Sequence, residues 1–285
     1  MQATLTEQPI VLSDKPYFKK TASISFENFT NIYMWRHVMH YRMVTVEGVR
    51  CLVGHYGNRP DFCNLPDVAD DAKLRRVLEG LRKALGTPLL LRPLDKGKLE
   101  RVLRLYPNAE VSESRNMQDY IYLQSDLANL PGKEYHPKRN HINNFEKQYD
   151  WEFVSITAET IPLLREAAAH LFEIDGRLPD EYEAILDLLD HFEALELKAG
   201  VLLVEGTPVA YAIGEIMNAD TALIHIEKAD RSYTGAYAMI NRLFAAEFDG
   251  CTYINREEDM GIPGLRKAKS SYHPVQMGDF YTAKI

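Results

Sequence analysis

Two stretches of the chain alternate apolar and polar positions on either side of a tight turn: RMVTVEGVRCLVGHYGN around Gly48 and GVLLVEGTPVAYAIGEIMN around Gly206. A period of two broken by Glu-Gly predicts a β-hairpin in each place. The two turns stand 206 − 48 = 158 residues apart. The same succession follows each hairpin. A helix-period segment comes first (residues 70–85 or 235–248), then a short strand (88–92 or 252–255). A second helix (96–106 or 262–272) and a terminal strand (120–123 or 280–283) complete the series. Repetition of a βββαβαβ order at one offset predicts two similar α/β domains in tandem, residues 1–130 and 131–285.

Between the halves lies PGKEYHPKRNHINNFEKQYD, residues 131–150, polar and basic at its start and helix-periodic afterwards. It reads as a linker and the opening helix of the second domain. Lys133, His136, Lys138, Arg139, His141 and Lys147 give it a local positive character, open to two readings, a solvated helix face or the edge of a site for a phosphate-bearing ligand. Residues 157–174 and 179–195 read as two further helices, with Gly176 and Pro179 at the break.

Composition narrows the function classes. At 285 residues and 46% hydrophobic the chain is long enough for two folded domains. A net charge of −8 argues against a surface devoted to nucleic acid, so no DNA partner is expected and an anionic ligand must be captured locally. The three cysteines, Cys51, Cys63 and Cys251, form no disulfide framework or paired metal pattern, which suits a reducing cytoplasm. No closed metal-ligand set has recognisable spacing. The N-terminus lacks a signal-peptide pattern, and no run reaches the about 18 apolar residues of a span. A soluble, cytoplasmic protein without an integral membrane segment is the expectation; its oligomeric state is not legible.

The chemistry concentrates in the second half. Asp230-Arg231-Ser232-Tyr233-Thr234-Gly235-Ala236 joins a strand to a helix start, where backbone N–H groups lack intrahelical partners and Gly235 permits close approach. An ordinary capped helix with a packing glycine would read the same. The first half has Asp67, Asp70 and Asp71 at the equivalent junction, which would repel phosphate, so the first domain is expected to be a degenerate partner. Strand alternation sets His225 and Glu227 on one face and Ile224 and Ile226 on the other. Glu227 is the candidate general base and His225 the second choice; a structural pairing of Glu227 with Arg256 stands beside that reading. In PGLRKAKSSYHP, Leu265, Ala268 and Tyr272 would form a packing face, and Arg266, Lys269 and His273 a basic stripe open to an anion.

HIEKAD (residues 225–230), TGAY (234–237), KRNHINNF (138–145) and INREEDMGIPGLRKAKSSYHP (254–274) resemble an uncharacterised bacterial family grouped with the C-terminal catalytic domain of phosphatidylglycerol lysyltransferases. The resemblance covers most of the chain and is more specific in the second half. It implies a mixed-sheet α/β architecture of two tandem GNAT-like acyltransferase domains. It also implies Tyr272 as general acid, and a cofactor contact set of Ile226, Lys228, Arg231, Thr234, Gly235, Ala236, Tyr237, Asn255, Arg266 and Lys269. The GNAT pattern places Arg or Gln three residues before the first glycine, whereas Arg231 stands four before Gly235, and Tyr237 fills a position usually small. The expected function is acyl transfer from acyl-CoA to an amine or hydroxyl of a small-molecule acceptor. Aminoacyl-tRNA as donor is the alternative, with tRNA meeting the basic residues of 133–147 and Arg266/Lys269; a non-catalytic CoA or metabolite-binding module is the third reading. Lipid acceptors recede in this reading, because the chain lacks the membrane domain that the resemblance would otherwise supply.

Overall fold

A computed structural model describes residues 6–18, 22, 24–86, 88–175 and 179–285; Gly176 lies outside the described residues. In chain order the elements are β1 (Thr6–Pro9), α1 (Phe29–Met34), β2 (Arg42–Val46), β3 (Val49–Gly54), β4 (Phe62–Cys63), α2 (Asp71–Leu85), β5 (Leu90–Leu94), α3 (Lys96–Leu105), β6 (Glu110–Glu113) and β7 (Tyr120–Leu123). Then follow α4 (Gln124–Asn129), α5 (His136–Gln148), β8 (Trp151–Ser155), α6 (Ile161–Asp175), α7 (Pro179–Asp190), β9 (Lys198–Val204), β10 (Thr207–Ile216) and β11 (Thr221–Ala229). The chain ends with α8 (Ala236–Ala246), β12 (Tyr253–Asn255), α9 (Pro263–Ser270), β13 (Gln276–Met277) and β14 (Tyr281–Lys284).

Both predicted hairpins form. Glu47 and Gly48 have φ of 49° and 73°, Glu205 and Gly206 of 50° and 79°. Two successive left-handed residues make the turn whose twist matches the flanking strands, so each glycine is where the backbone needs it.

Among the described residues the strands form two seven-stranded sheets, ordered β1-β2-β3-β4-β5-β14-β6 and β8-β9-β10-β11-β12-β7-β13. The orders are the same once β7 and β14 are traded. In each sheet one neighbouring pair is parallel, β4 with β5 and β11 with β12, and the other pairs are antiparallel. The terminal strands predicted for the two halves therefore exist at the predicted places but exchange sheets. The compact units are Met1–Gln118 with Gly278–Ile285, and Asp119–Met277, rather than 1–130 and 131–285. The physical reason is pairing: Tyr281 to Lys284 bond to β5 and β6, and Ile121 to Leu123 bond to β12.

In the first unit, Asp70 caps α2 by accepting from the Lys73 N–H, and Leu74, Val77, Leu78 and Leu81 make its buried stripe. They pack with Val44, Val46, Val53 and Leu91. In the second unit β9 and β10 are buried along nearly their whole length. α6 and α8 both pack on β10. Among the described residues no helix is long and apolar enough to cross a membrane.

Candidate active site at the diverging strands of the second unit

β11 pairs with β12 only over Thr221–Leu223 against Tyr253–Asn255 and then runs on to Ala229. Past Asn255 the chain parts from β11, while Arg256 and Glu257 still bond to Tyr120 of β7. A wedge opens at the carboxyl ends of two parallel strands, the place where α/β sheets put ligands. Side chains from both walls fill it.

His225 is buried with its side chain 1% exposed, Nδ1 lying 2.9 Å from Glu257 Oε1 and Nε2 3.0 Å from Glu215 Oε1. Carboxylates accept, so both ring nitrogens donate and the ring is an imidazolium. Burial pushes its pKa down, but the hydrogen bonds to Glu215 and Glu257 outweigh that and raise it to about 9. His225 has no lone pair with which to act as a base. Since the folded pKa exceeds the ordinary value of about 6.5, the stability it contributes is fully present below pH 6.5 and is lost as pH rises through 9. Urea denaturation at pH 6.5 and pH 9.5 should show a fall on the order of 3 kcal/mol, absent in His225→Gln. An equal fall in both proteins would refute it.

Glu227 sits between two partners. Its Oε1 accepts from Arg256 Nη2 at 2.8 Å and its Oε2 from Asn241 Nδ2, on the second turn of α8, at 3.0 Å. The structural pairing with Arg256 is thus realised. Arg256 Cζ lies 5.0 Å from the Tyr272 ring centroid and 5.6 Å from that of Tyr122, and Lys138 Nζ lies 3.8 Å from the Tyr272 centroid. Burial, then Arg256, lower the Lys138 pKa to about 8 against the opposing pull of Glu227. Among the described residues the Lys138 ammonium has no hydrogen-bond or ion-pair partner. Burial raises the Tyr272 hydroxyl far above its ordinary value, so it keeps its proton. Arg256 Nη1 and Asn241 Oδ1 are both sealed from solvent with no hydrogen-bond partner among the described residues.

The acidic loop after β12 is held rigidly. Asp259, wholly buried, accepts from Arg266 Nε at 2.8 Å and Nη2 at 2.9 Å, from the Tyr120 hydroxyl at 2.6 Å and from the Gly261 N–H at 2.8 Å. Arg266 above all holds that carboxyl well below the usual range. Lys269 is buried and donates to the carbonyls of Arg256, at 2.5 Å, and Glu258. Asn255 donates to Asp119 and accepts from the Glu257 N–H, both at 2.8 Å. The expected basic stripe is therefore split: Lys269 turns inward and Arg266 pairs with Asp259, while His273 stays exposed. α9 exposes Ala268 and buries Lys269, and Tyr272 lies beyond the helix end. Loop carbonyls that need donors explain the inversion.

The remaining sequence candidates lie elsewhere in the unit. Ile226 is buried on the opposite strand face, and Lys228 pairs with Glu181. Arg231, Thr234 and Tyr237 are exposed around the start of α8, and Ala236 is buried. Gly235 has φ 102°, and a Cβ there would lie 2.6 Å from the His141 carbonyl oxygen and 3.0 Å from Phe145 Cβ. Close approach at this glycine is made by α5. The structure thus joins Glu227 to Tyr272 and adds three residues that sequence reasoning left without a catalytic role: Lys138, Asn241 and Arg256. The available signal for Asn241 was a polar residue on the buried face of AYAMINRLFAA.

The family model described as phosphatidylglycerol lysyltransferase, C-terminal, matches residues 20–284. An uncharacterized protein of Mycoplasmoides gallisepticum is 25% identical over 194 residues, which are 66% of this chain and 62% of that protein. The chain spans less than two thirds of that relative's length. Among solved structures, a conserved protein of unknown function from Bacteroides thetaiotaomicron VPI-5482 is 33% identical at a TM-score of 0.89, covering 99% of this chain and 100% of that chain. The C-terminal domain of a putative lysylphosphatidylglycerol synthetase from Agrobacterium fabrum is 14% identical, TM-score 0.65, covering 96% and 91%. FemX is 10% identical, TM-score 0.61, covering 98% and 96%. At such identities the last two likenesses speak for the fold, a tandem GNAT-like α/β architecture.

Proposed function

The chain belongs to the phosphatidylglycerol lysyltransferase C-terminal family, and we propose that its second unit transfers an aminoacyl group from aminoacyl-tRNA to an amine or hydroxyl acceptor. The observation that carries this reading is the Lys138 amine, without a hydrogen-bond or ion-pair partner among the described residues and with its pKa drawn down to about 8, beside the Glu227–Arg256 pair and the Tyr272 ring. A lysine tuned to that range works as a base near neutral pH.

Neutral Lys138 takes the proton of the acceptor nucleophile as it forms a bond to the ester carbonyl carbon. Arg256 stabilises the resulting oxyanion. The ester C–O bond then breaks, and the Lys138 ammonium returns the proton to the departing ribose hydroxyl. Glu227 positions Arg256 and Asn241 and does not itself move a proton. Against acyl-CoA as donor stand the filled side of Gly235 and the Asp230 carboxylate, whose Oδ1 takes the Ser232 N–H at 2.8 Å. That carboxylate occupies a donor a pyrophosphate would use and repels it.

Transfer of label from a charged total-tRNA pool to small amines and to phosphatidylglycerol vesicles tests the proposal, with spontaneous hydrolysis subtracted. The rate should rise with pH around a midpoint of about 8, and Lys138→Met should lower it by about 100-fold or more. Transfer from acyl-CoA but not from aminoacyl-tRNA, or an unchanged pH profile in Lys138→Met, would overturn it.

A further inference from the structure

One carboxylate in the site organises two unfinished partners. Glu227 takes a single hydrogen from Arg256 and a single hydrogen from Asn241, and the other polar end of each partner, Arg256 Nη1 and Asn241 Oδ1, is buried and unbonded among the described residues. The amide orientation of Asn241 is not arbitrary. Glu227 can only accept, so the nitrogen must face it and the oxygen must face away. A buried donor or acceptor left unsatisfied costs about 1–3 kcal/mol, and here one donor and one acceptor flank the same anion. Asn241 is wholly buried on a helix whose other buried residues, Ala236, Ala238, Met239, Ile240, Phe244 and Ala245, are all apolar, and an apolar residue in its place would carry no such penalty.

An orphan acceptor beside a carboxylate calls for a cationic donor, and an orphan guanidinium hydrogen calls for an acceptor oxygen, best one on which negative charge develops. An aminoacyl ester supplies both from one small group, since its α-ammonium and carbonyl oxygen are attached to adjacent carbons. We propose, building on the aminoacyl-transfer reading, that Asn241 Oδ1 receives the free α-ammonium of the donor while Arg256 Nη1 receives its carbonyl oxygen, so that the site selects donors with an unblocked α-nitrogen. Both protein atoms are sealed, so entry requires a side chain to move aside. Lys138, half-buried over the Tyr272 ring without a hydrogen bond among the described residues, is the member of the cluster with least holding it.

The test is calorimetric and needs no turnover. The full chain is titrated at pH 6.5 with a panel of L-amino acid amides and with their N-acetyl derivatives, which keep the carbonyl and lose the ammonium. At least one free amide should bind about tenfold or more tighter than its N-acetyl counterpart, and Asn241→Ala, checked for its thermal melt, should bring that ratio close to one. Equal binding of free and blocked amides by the wild type would overturn the proposal without recourse to any variant. So would a preference undiminished in a folded Asn241→Ala, or no binding of any amide by a chain that transfers from aminoacyl-tRNA. If the ammonium preference holds while aminoacyl-tRNA fails as a donor, the donor assignment falls and the reading of Asn241 stands.

Discussion

A polypeptide of residues 131–285 should fail to fold, and one of residues 119–277 should fold and melt cooperatively. The first lacks β7 and with it Tyr120 and Tyr122, both wholly buried in the second unit. Their hydroxyls donate to Asp259 and to the Lys269 carbonyl. Removing one large buried aromatic side chain costs about 3–5 kcal/mol, so the loss of two rivals the whole stability of a domain, about 5–15 kcal/mol. The same fragment uncovers the edge of β12 and carries β14, which has no place in its sheet. Far-UV and near-UV circular dichroism with thermal melts would distinguish the two. A cooperative transition in 131–285 equal to that of 119–277 would sink the prediction.

Glu227→Ala should destabilise the protein by about 3–5 kcal/mol, the usual result of stripping the partner from a buried charge. The side chains of Glu227 and Arg256 are 12% and 11% exposed, so solvent cannot replace the lost carboxylate. Asn241 loses its bond as well. Lys138→Met, by contrast, removes a partly desolvated charge without a hydrogen-bond or ion-pair partner among the described residues, and should leave stability near that of the wild type while lowering transfer by about 100-fold or more. Guanidinium denaturation of both variants separates a positioning residue from a catalytic one. If Glu227→Ala were as stable as the wild type and Lys138→Met were not, the two roles would have to be exchanged.

The local grammar of the chain carried the element order. Alternation around Glu-Gly announced both hairpins because a two-residue turn and a period of two are properties of neighbouring residues. Sheet membership was beyond that grammar. β7 and β14 have the same period and come at the same point in each repeat, and alternation tells which face of a strand is buried without telling which sheet receives it. The site was half legible for a related reason. Glu227 could be placed beside His225 by strand period, whereas Lys138, Asn241 and Arg256 come from α5, α8 and the loop after β12 and meet only in three dimensions. Lys269 misled because a lysine at that spacing reads as exposed, and only the carbonyls of Arg256 and Glu258 make its burial affordable.

The sheet of the first unit also sets a timetable for synthesis. Its slot between β5 and β6 belongs to β14, which comes after the whole of the second unit in chain order. Domains generally fold as units as they leave the ribosome, the N-terminal one first. Here the N-terminal unit is begun first and completed last. β5 must wait with one edge unpaired, and β6, whose sheet neighbour is β14 alone, waits without a partner strand, while the whole of Asp119–Met277 is translated and can fold. During that interval the nascent chain carries an open strand site that any passing β-segment could enter. A chain without Tyr281–Lys284 would keep it open for good.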